Sequence, residues 1–268
     1  IESFNHAIKI KPNYGEAHYN LGNILKEQGD QAGAIASYNR AIKINPDSAE
    51  ANYSLGATLQ DKGDLSAAIE SYRRALQIRP EYAEVHNNLG VALKVRGNLK
   101  EALQTFNKAI KLKPDYAEAY SNLGAALKES GDLMAAIENY RRAIEINPDY
   151  AEAHSNLGAA LQETSDLAGA IASYNRAIEI KPDYAQAHYN LAILLKERGN
   201  LAGAIASCTR AIEINPNYEA AHNNLGGVLQ ANWDLTGAIA SYSRAIEINP
   251  DYAEAHSNLG AALQETSD

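Results

Sequence analysis

The sequence predicts an all-α solenoid built from repeated helical hairpins, and two observations support this prediction. First, all eight prolines recur at intervals of 34 residues, as Pro12, Pro46, Pro80, Pro114, Pro148, Pro182, Pro216 and Pro250. A fixed period of about 20 to 50 residues is typical of repeat arrays, in which each unit buries its apolar face by stacking on its neighbours. Second, two stretches with helical apolar spacing lie between successive prolines.

Residues 117–150 illustrate the first helix of a unit and the turn that follows it. Their first apolar set recurs at spacings of four, three and one, which places it on one helix face: Ala119, Leu123, Ala126 and Leu127. Gly131 then predicts a left-handed stop, and Asp132 predicts the N-cap of a second helix.

The second helix carries a similar stripe, formed by Leu133, Ala136, Ile137, Tyr140, Ala143 and Ile144. Pro148 predicts its end, because proline disfavours helical geometry in the residue before it. At the start of the first helix we expect Asp115 and Glu118 to form a capping box, and Asp149 begins the same motif in the next unit. Each unit is therefore predicted to be a helical hairpin.

These residues resemble the tetratricopeptide repeat (TPR) family, whose 34-residue pattern sets small and large residues at fixed points of two helices. Each unit has Leu at position 7, Gly at position 8, Ala at position 20, an aromatic residue at position 24 and Pro at position 32. The departures are Ala192 at position 8, Cys208 at position 24, and mostly His rather than the family's Trp at position 4. The resemblance covers the whole chain and implies a right-handed superhelical solenoid.

The expected organisation is a single TPR array over residues 1–268. It consists of a half repeat 1–14, the full repeats 15–48, 49–82, 83–116, 117–150, 151–184, 185–218 and 219–252, and a half repeat 253–268. Both ends cut through a hairpin, so we expect a segment of a longer array. Asp268 falls at position 16 and Ile1 at position 21, so the terminal half repeats are expected to complement each other and to permit head-to-tail self-association.

Charge and composition restrict the partners. The net charge of −9 lies in the second half: residues 1–134 hold 16 Lys/Arg and 16 Asp/Glu of the totals 24 and 33, which leaves 8 and 17. An acidic half without a basic stripe repels phosphate, so no nucleic-acid partner is expected. No apolar run approaches about 18 residues and no signal peptide opens the chain, so we expect no membrane partner and a cytoplasmic location.

A polar stripe on the first helices is the candidate binding site. In TPR proteins, positions 2, 6, 9 and 13 line the concave groove, and position 6 here is Asn20, Asn88, Asn122, Asn156, Asn190, Asn224 and Asn258, with Ser54 once. An amide offers both donors and an acceptor, which suits a peptide backbone. The stripe resembles the asparagine ladder of O-GlcNAc transferase arrays. Further peptide-binding candidates are Asn23, Tyr19, Tyr53 and Tyr189.

Three functions fit this stripe. The leading hypothesis is a non-catalytic protein-interaction scaffold that binds an extended peptide through the asparagine ladder. The alternatives are the substrate-binding arm of a larger O-GlcNAc-transferase-like glycosyltransferase and a self-assembling head-to-tail scaffold. RNA binding is disfavoured by the acidic balance. Copying within the gene offers another origin for the asparagines, because residues 151–166 and 253–268 are identical.

Other chemistry-bearing residues predict no catalytic, cofactor or metal site. The position-4 histidines, one per unit, are expected to pack where the family has Trp, because ligands one layer apart cannot meet at one ion. Cys208 is expected to be a buried, inert thiol. Asn52 begins a glycosylation sequon inside a helix, and Trp233 replaces a turn glycine, where either exposure or packing is compatible with the sequence.

Overall fold

The computed structural model describes residues 1–266, and those residues form sixteen α-helices without a β-strand. The all-α prediction is therefore confirmed. The chain divides into two compact units, Ile1–Ile146 and Asn147–Asp268. Ser267 and Asp268, which belong to the expected last half repeat, lie outside the described residues, and so does the expectation for the position of Asp268.

The first unit contains nine helices, each packed against the next along the chain. They are α1 (Glu2–Ile10), α2 (Gly15–Glu27), α3 (Gln31–Ile44), α4 (Ala49–Asp61), α5 (Leu65–Ile78), α6 (Ala83–Val95), α7 (Leu99–Leu112), α8 (Ala117–Glu129) and α9 (Leu133–Ile146). The even-numbered helices also contact one another, as α4 contacts both α2 and α6. These first helices of the hairpins carry the position-6 residues.

The second unit repeats this arrangement with seven helices. They are α10 (Ala151–Glu163), α11 (Leu167–Ile180), α12 (Ala185–Glu197), α13 (Leu201–Ile214), α14 (Glu219–Ala231), α15 (Leu235–Ile248) and α16 (Ala253–Glu265). Successive helices again pack in order, and α14 contacts the first helices α12 and α16 on either side of it.

The turn inside each hairpin has the predicted chemistry. Gly131 has φ +88°, in the left-handed region, and the Asp132 carboxylate accepts a hydrogen bond from the Ala135 N–H at 3.1 Å. Ser165 and Trp233 occupy the equivalent turn position with φ of 65° and 62°. Because a side chain in that conformation is strained, these two turns hold a geometry that glycine adopts more readily.

The predicted capping box at Asp115 is wrong. Helix α8 has Tyr116 as its N-cap, one residue later, and no side-chain cap bond forms there; α10 begins in the same way at Tyr150. The tyrosine therefore stands where a capping carboxylate was expected. Helix α4 differs, because its N-cap Ser48 accepts a hydrogen bond from the Ala51 N–H at 3.1 Å.

Each hairpin closes on a contact between the position-8 glycine and the position-24 aromatic ring. A Cβ placed on Gly56 would lie 2.7 Å from Cδ1 of Tyr72, whose side chain is completely buried. Contacts this short require the ring to move, so glycine is needed for close approach of the two helices. The hairpin of residues 185–218 has Ala192 and Cys208 at these positions, both completely buried. The smaller Cys208 side chain leaves room for the methyl group of Ala192.

Candidate functional site

All seven position-6 asparagines lie on first helices and are half-buried. Asn20, Asn88 and Asn122 belong to the first unit, and Asn156, Asn190, Asn224 and Asn258 belong to the second. Half-burial leaves part of each amide exposed to solvent, while the rest of the side chain contacts neighbouring helices. The hydrogen bonds of these amides divide six of them into two sets, and the seventh, Asn224, donates instead to the Cys208 sulfur.

One set is tied to the preceding repeat, and we call these three residues the bonded rungs. The Asn88 amide donates to the Tyr53 hydroxyl at 3.2 Å, Asn122 donates to Oδ1 of Asn87 at 3.0 Å, and Asn258 donates to Oδ1 of Asn223 at 3.1 Å. Each bond joins position 6 of one repeat to position 5 of the repeat before it. These amides therefore help to hold adjacent hairpins together.

The position-5 asparagines extend these bonds into small networks. The Asn87 amide donates to Oε1 of Glu118 at 3.0 Å, and the Asn223 amide donates to Oε1 of Glu254 at 3.3 Å. Both asparagines are buried. Because a buried amide without partners would be costly, these bonds contribute to stability as well as to the polarity of the surface.

The other set forms no hydrogen bond to a position-5 side chain of its own unit, and we call its members the open rungs: Asn20, Asn156 and Asn190. Asn190 accepts a hydrogen bond from Gln186 at 2.9 Å, and its amide donates a hydrogen bond to the Tyr174 hydroxyl. Burial raises the pKa of Tyr174 to about 12, and Asn190 opposes that shift. Position 5 of the repeat before Asn190 is Ser155, whose short side chain forms no bond to it.

The remaining predicted peptide-binding residues are held by neighbouring side chains. Tyr53 makes a tilted ring contact with Tyr82, with centroids 5.4 Å apart, and Tyr189 makes the same kind of contact with Tyr218 at 5.0 Å. Tyr19 contacts the core ring of Tyr38 at 6.0 Å.

Asn23 accepts a hydrogen bond from the Tyr38 hydroxyl at 2.8 Å. Its carbonyl oxygen is thus occupied inside its own hairpin, and burial raises the pKa of Tyr38 to about 12. Asn23 therefore has one hydrogen-bond acceptor fewer available to a ligand.

Hydrogen bonds to a proline carbonyl fix the position-4 histidines. Six of them donate from Nε2 to the proline six residues earlier at 2.9–3.1 Å: His18, His86, His154, His188, His222 and His256. Burial is the main cause of the lowered pKa of His86 and of His188. This role was not predicted from the sequence, although the constant six-residue spacing between proline and histidine is visible there.

Cys208 and Trp233 occupy opposite environments. Cys208 is completely buried, and desolvation raises the pKa of its thiol to about 12, so the nucleophilic thiolate is disfavoured. The Asn224 amide contacts its sulfur at 3.5 Å. Trp233 is 85% exposed, which decides between the two alternatives that the sequence left open.

Residues 1–266 lack two further classes of feature. In that part of the chain no three His, Cys, Asp or Glu side chains converge as metal ligands would. The same residues contain no helix with the length and apolar character needed to cross a membrane.

Comparison with known proteins places these hairpins in a family. A TPR model matches residues 1–29, 22–63, 59–94, 95–131, 124–165, 163–197 and 234–267, and a second tetratricopeptide repeat model matches 185–218. The chain belongs to the tetratricopeptide repeat family. TPR proteins generally act as protein-interaction scaffolds. No curated protein sequence matches this TPR chain.

Solved TPR structures share the fold. A chain of the APC/C hetero-tetramer Cut9–Hcn1 gives a TM-score of 0.77 at 17% identity, over 97% of this chain and 51% of that one, so this chain spans about half its length. MamA gives 0.56 at 30% identity, over 62% of this chain and 97% of that one. YrrB, described as a TPR protein with an unusual peptide-binding site, gives 0.57 at 22%, over 70% and 97%.

Proposed function

We propose that this TPR chain is a non-catalytic scaffold that binds an extended peptide along the position-6 asparagines. The observation that carries the proposal is the set of open rungs. Asn156 and Asn190 lie on α10 and α12, the first helices of consecutive repeats, and both are half-buried without a hydrogen bond to a position-5 side chain of their unit. An amide that is not engaged by the neighbouring repeat keeps N–H groups that can donate to a ligand offering carbonyl oxygens.

The spacing of the rungs fits a peptide backbone. Packed helices lie about 8–10 Å apart, and an extended chain advances about 3.3 Å per residue. Consecutive rungs would therefore contact every third peptide group or so. Because amides pair with the backbone and ignore side chains, this contact alone would give affinity with little sequence preference.

Paired asparagine variants test the proposal. We expect Asn156→Ala/Asn190→Ala to weaken binding of array-selected peptides by roughly tenfold to a hundredfold, at about 1 kcal/mol per lost hydrogen bond. Isothermal titration calorimetry with the whole chain measures the affinity, and urea unfolding should show only a small loss of stability, since Asn190 also bonds to Gln186 and Tyr174.

The bonded rungs supply the matched control. Asn88→Ala/Asn122→Ala removes the same groups from consecutive repeats but breaks bonds between hairpins, so it should lower stability more than it lowers affinity. Parent-like peptide binding by Asn156→Ala/Asn190→Ala, with the fold intact by circular dichroism, would overturn the proposal.

A further inference from the structure

We call the place where one repeat ends and the next begins, around positions 31 to 34, a joint. Two joints contain the same cluster of an aromatic ring, a cation and a carboxylate. In repeat 49–82, Arg79 at position 31 lies 4.8 Å from the ring centroid of Tyr82 at position 34 and pairs with the carboxylate of Glu50 at position 2. The Tyr82 ring in turn contacts the tilted ring of Tyr53 at position 5. The pKa of Glu50 is lowered by its own backbone N–H and by Arg79, so its carboxylate is held in the charged form.

Repeat 83–116 builds the same cluster from other residues. Lys113 lies 4.8 Å from the Tyr116 ring centroid, and its ammonium group is 3.4 Å from the carboxylate of Glu84. A cation at position 31, over a tyrosine at position 34 and beside a glutamate at position 2, is thus the arrangement that this chain itself uses to fill these joints. Such contacts are favourable for both arginine and lysine.

Repeat 15–48 lacks both the ring and the cation. Position 34 is Ser48, whose hydroxyl caps α4, and position 31 is Asn45, whose side chain accepts a hydrogen bond from the Asp47 N–H at 3.3 Å. Glu16, the position-2 carboxylate, is exposed and has no side-chain partner within residues 1–266. The cluster is therefore reduced to its carboxylate and its position-5 ring, Tyr19.

A cavity of about 310 Å³ lies at this joint. The residues that line it include Glu16, Tyr19, Asn20, Asn45, Ser48 and Glu50. Four of them, Glu16, Tyr19, Asn45 and Ser48, are the position-by-position equivalents of the residues that form the filled cluster in repeat 49–82. The cavity also adjoins Asn20, an open rung, so a peptide on the rungs would pass its mouth.

We propose that this cavity is a specificity pocket for a cationic side chain, arginine or lysine, of the bound peptide. The cation would pair with Glu16, as Arg79 and Lys113 pair with Glu50 and Glu84 in the next two joints, and it would contact Tyr19, the ring that lines the cavity here. The second carboxylate, Glu50, adds negative potential although Arg79 already neutralises it in part. The inference rests on the proposed peptide-binding function and adds a side-chain preference to it.

The test uses defined peptides rather than an unknown partner. Capped pentapeptides of alanine with a central arginine, lysine or citrulline are titrated into the whole chain, and two-dimensional NMR follows backbone amides and asparagine side chains. Citrulline keeps the shape of arginine without its charge. We expect the arginine and lysine peptides to shift the signals of Tyr19 and Ser48, and the citrulline peptide to bind there about tenfold more weakly.

Three variants locate the effect. Ser48→Tyr places the ring found at the other joints into the cavity and should abolish the shifts. Glu16→Gln, an exposed and conservative change that leaves the fold intact, should remove the preference for arginine over citrulline. Glu84→Gln, at the same position of a filled joint, is the matched control and should leave that preference unchanged.

The outcomes separate the two proposals. Equal binding of arginine and citrulline peptides at the Tyr19 joint, or an unchanged arginine preference in Glu16→Gln, would overturn the pocket. If the peptides nevertheless shift the Asn156 and Asn190 side-chain signals, peptide binding by the rungs stands and only the pocket fails. If no peptide shifts either set of signals, both proposals are wrong.

Discussion

The interiors of the hairpins and the joints between them follow different rules. Inside a hairpin the contact is nearly constant: a position-8 glycine faces a position-24 ring, as Gly22 faces Tyr38 and Gly124 faces Tyr140. The joints vary, because position 5 is tyrosine, asparagine or serine and position 31 is a cation or asparagine. The constant contact holds the helices together, and the variable joints decide which polar groups remain for a ligand.

One exception inside a hairpin shows how strict the interior rule is. Ala192 and Cys208 depart from the pattern together, in the same repeat, and both are completely buried. A larger residue on one helix is matched by a smaller one on the other. The joints show no such compensation at Ser48, where removal of the ring leaves a cavity. A change that fills or empties space should therefore cost more inside a hairpin than at a joint.

The largest expected effect is a clash inside that exceptional hairpin. Cys208→Tyr would set a ring against the Ala192 methyl group, at a place where other repeats require glycine, and should lower the free energy of unfolding by about 3 kcal/mol. Adding Ala192→Gly restores the common pair and should recover most of the loss. Urea unfolding of both single variants and the double variant measures the coupling. Additive effects of the two changes would contradict the interior rule.

Removing a side chain from a joint should cost less unfolding free energy than a clash inside a hairpin. Tyr82→Ser removes a half-buried ring that contacts Tyr53 and carries Arg79, and it should cost about 2 kcal/mol of unfolding free energy. The reverse change, Ser48→Tyr, fills a cavity but loses the Ser48 cap, so the two contributions of about 1 kcal/mol should nearly cancel. Thermal unfolding of both variants checks this asymmetry, and equal destabilisation would mean that the Ser48 joint is as tightly packed as its neighbour.

The smallest expected effect is a difference in unfolding free energy between a bonded rung and an open rung. Asn88→Ala breaks the hydrogen bond to Tyr53 and should cost about 1 kcal/mol. Asn156→Ala breaks no bond within its unit and should be neutral or slightly stabilising, since alanine is the better helix former. Chemical unfolding of the two single variants measures this difference in unfolding free energy. A loss at Asn156 as large as that at Asn88 would show that the open rungs are structural too.

Much of the fold follows from the sequence because its causes are local. The Gly131–Asp132 turn could be predicted from conformational preference and capping alone. The prediction of a capping box at Asp115 failed because the N-cap lies one residue later, at Tyr116. The ring of Tyr116 contacts Lys113 and caps nothing. The paired departures at Ala192 and Cys208 were visible, but their connection depends on which residues face each other across the hairpin.

The site was harder to predict than the fold because its bonds join residues 35 apart. Position 6 could be identified as a polar stripe, yet the sequence could not tell Asn122, which donates to Asn87, from Asn156, which donates to no residue of its unit. That difference depends on the length of the position-5 side chain one repeat earlier and on helix stacking. The histidine–proline bonds were missed for the same reason, since they form only when the loop folds back over the helix.

The most direct test of peptide binding by the rungs is to observe their side-chain amides. Two-dimensional NMR of the whole chain, titrated with an array-selected peptide, reports the NH₂ groups of Asn156 and Asn190 individually. Peptide binding at the rungs predicts that both signals shift together and saturate with the affinity measured by calorimetry, while Asn88 and Asn122 shift less. Saturable binding that leaves the Asn156 and Asn190 side-chain signals unmoved would contradict it.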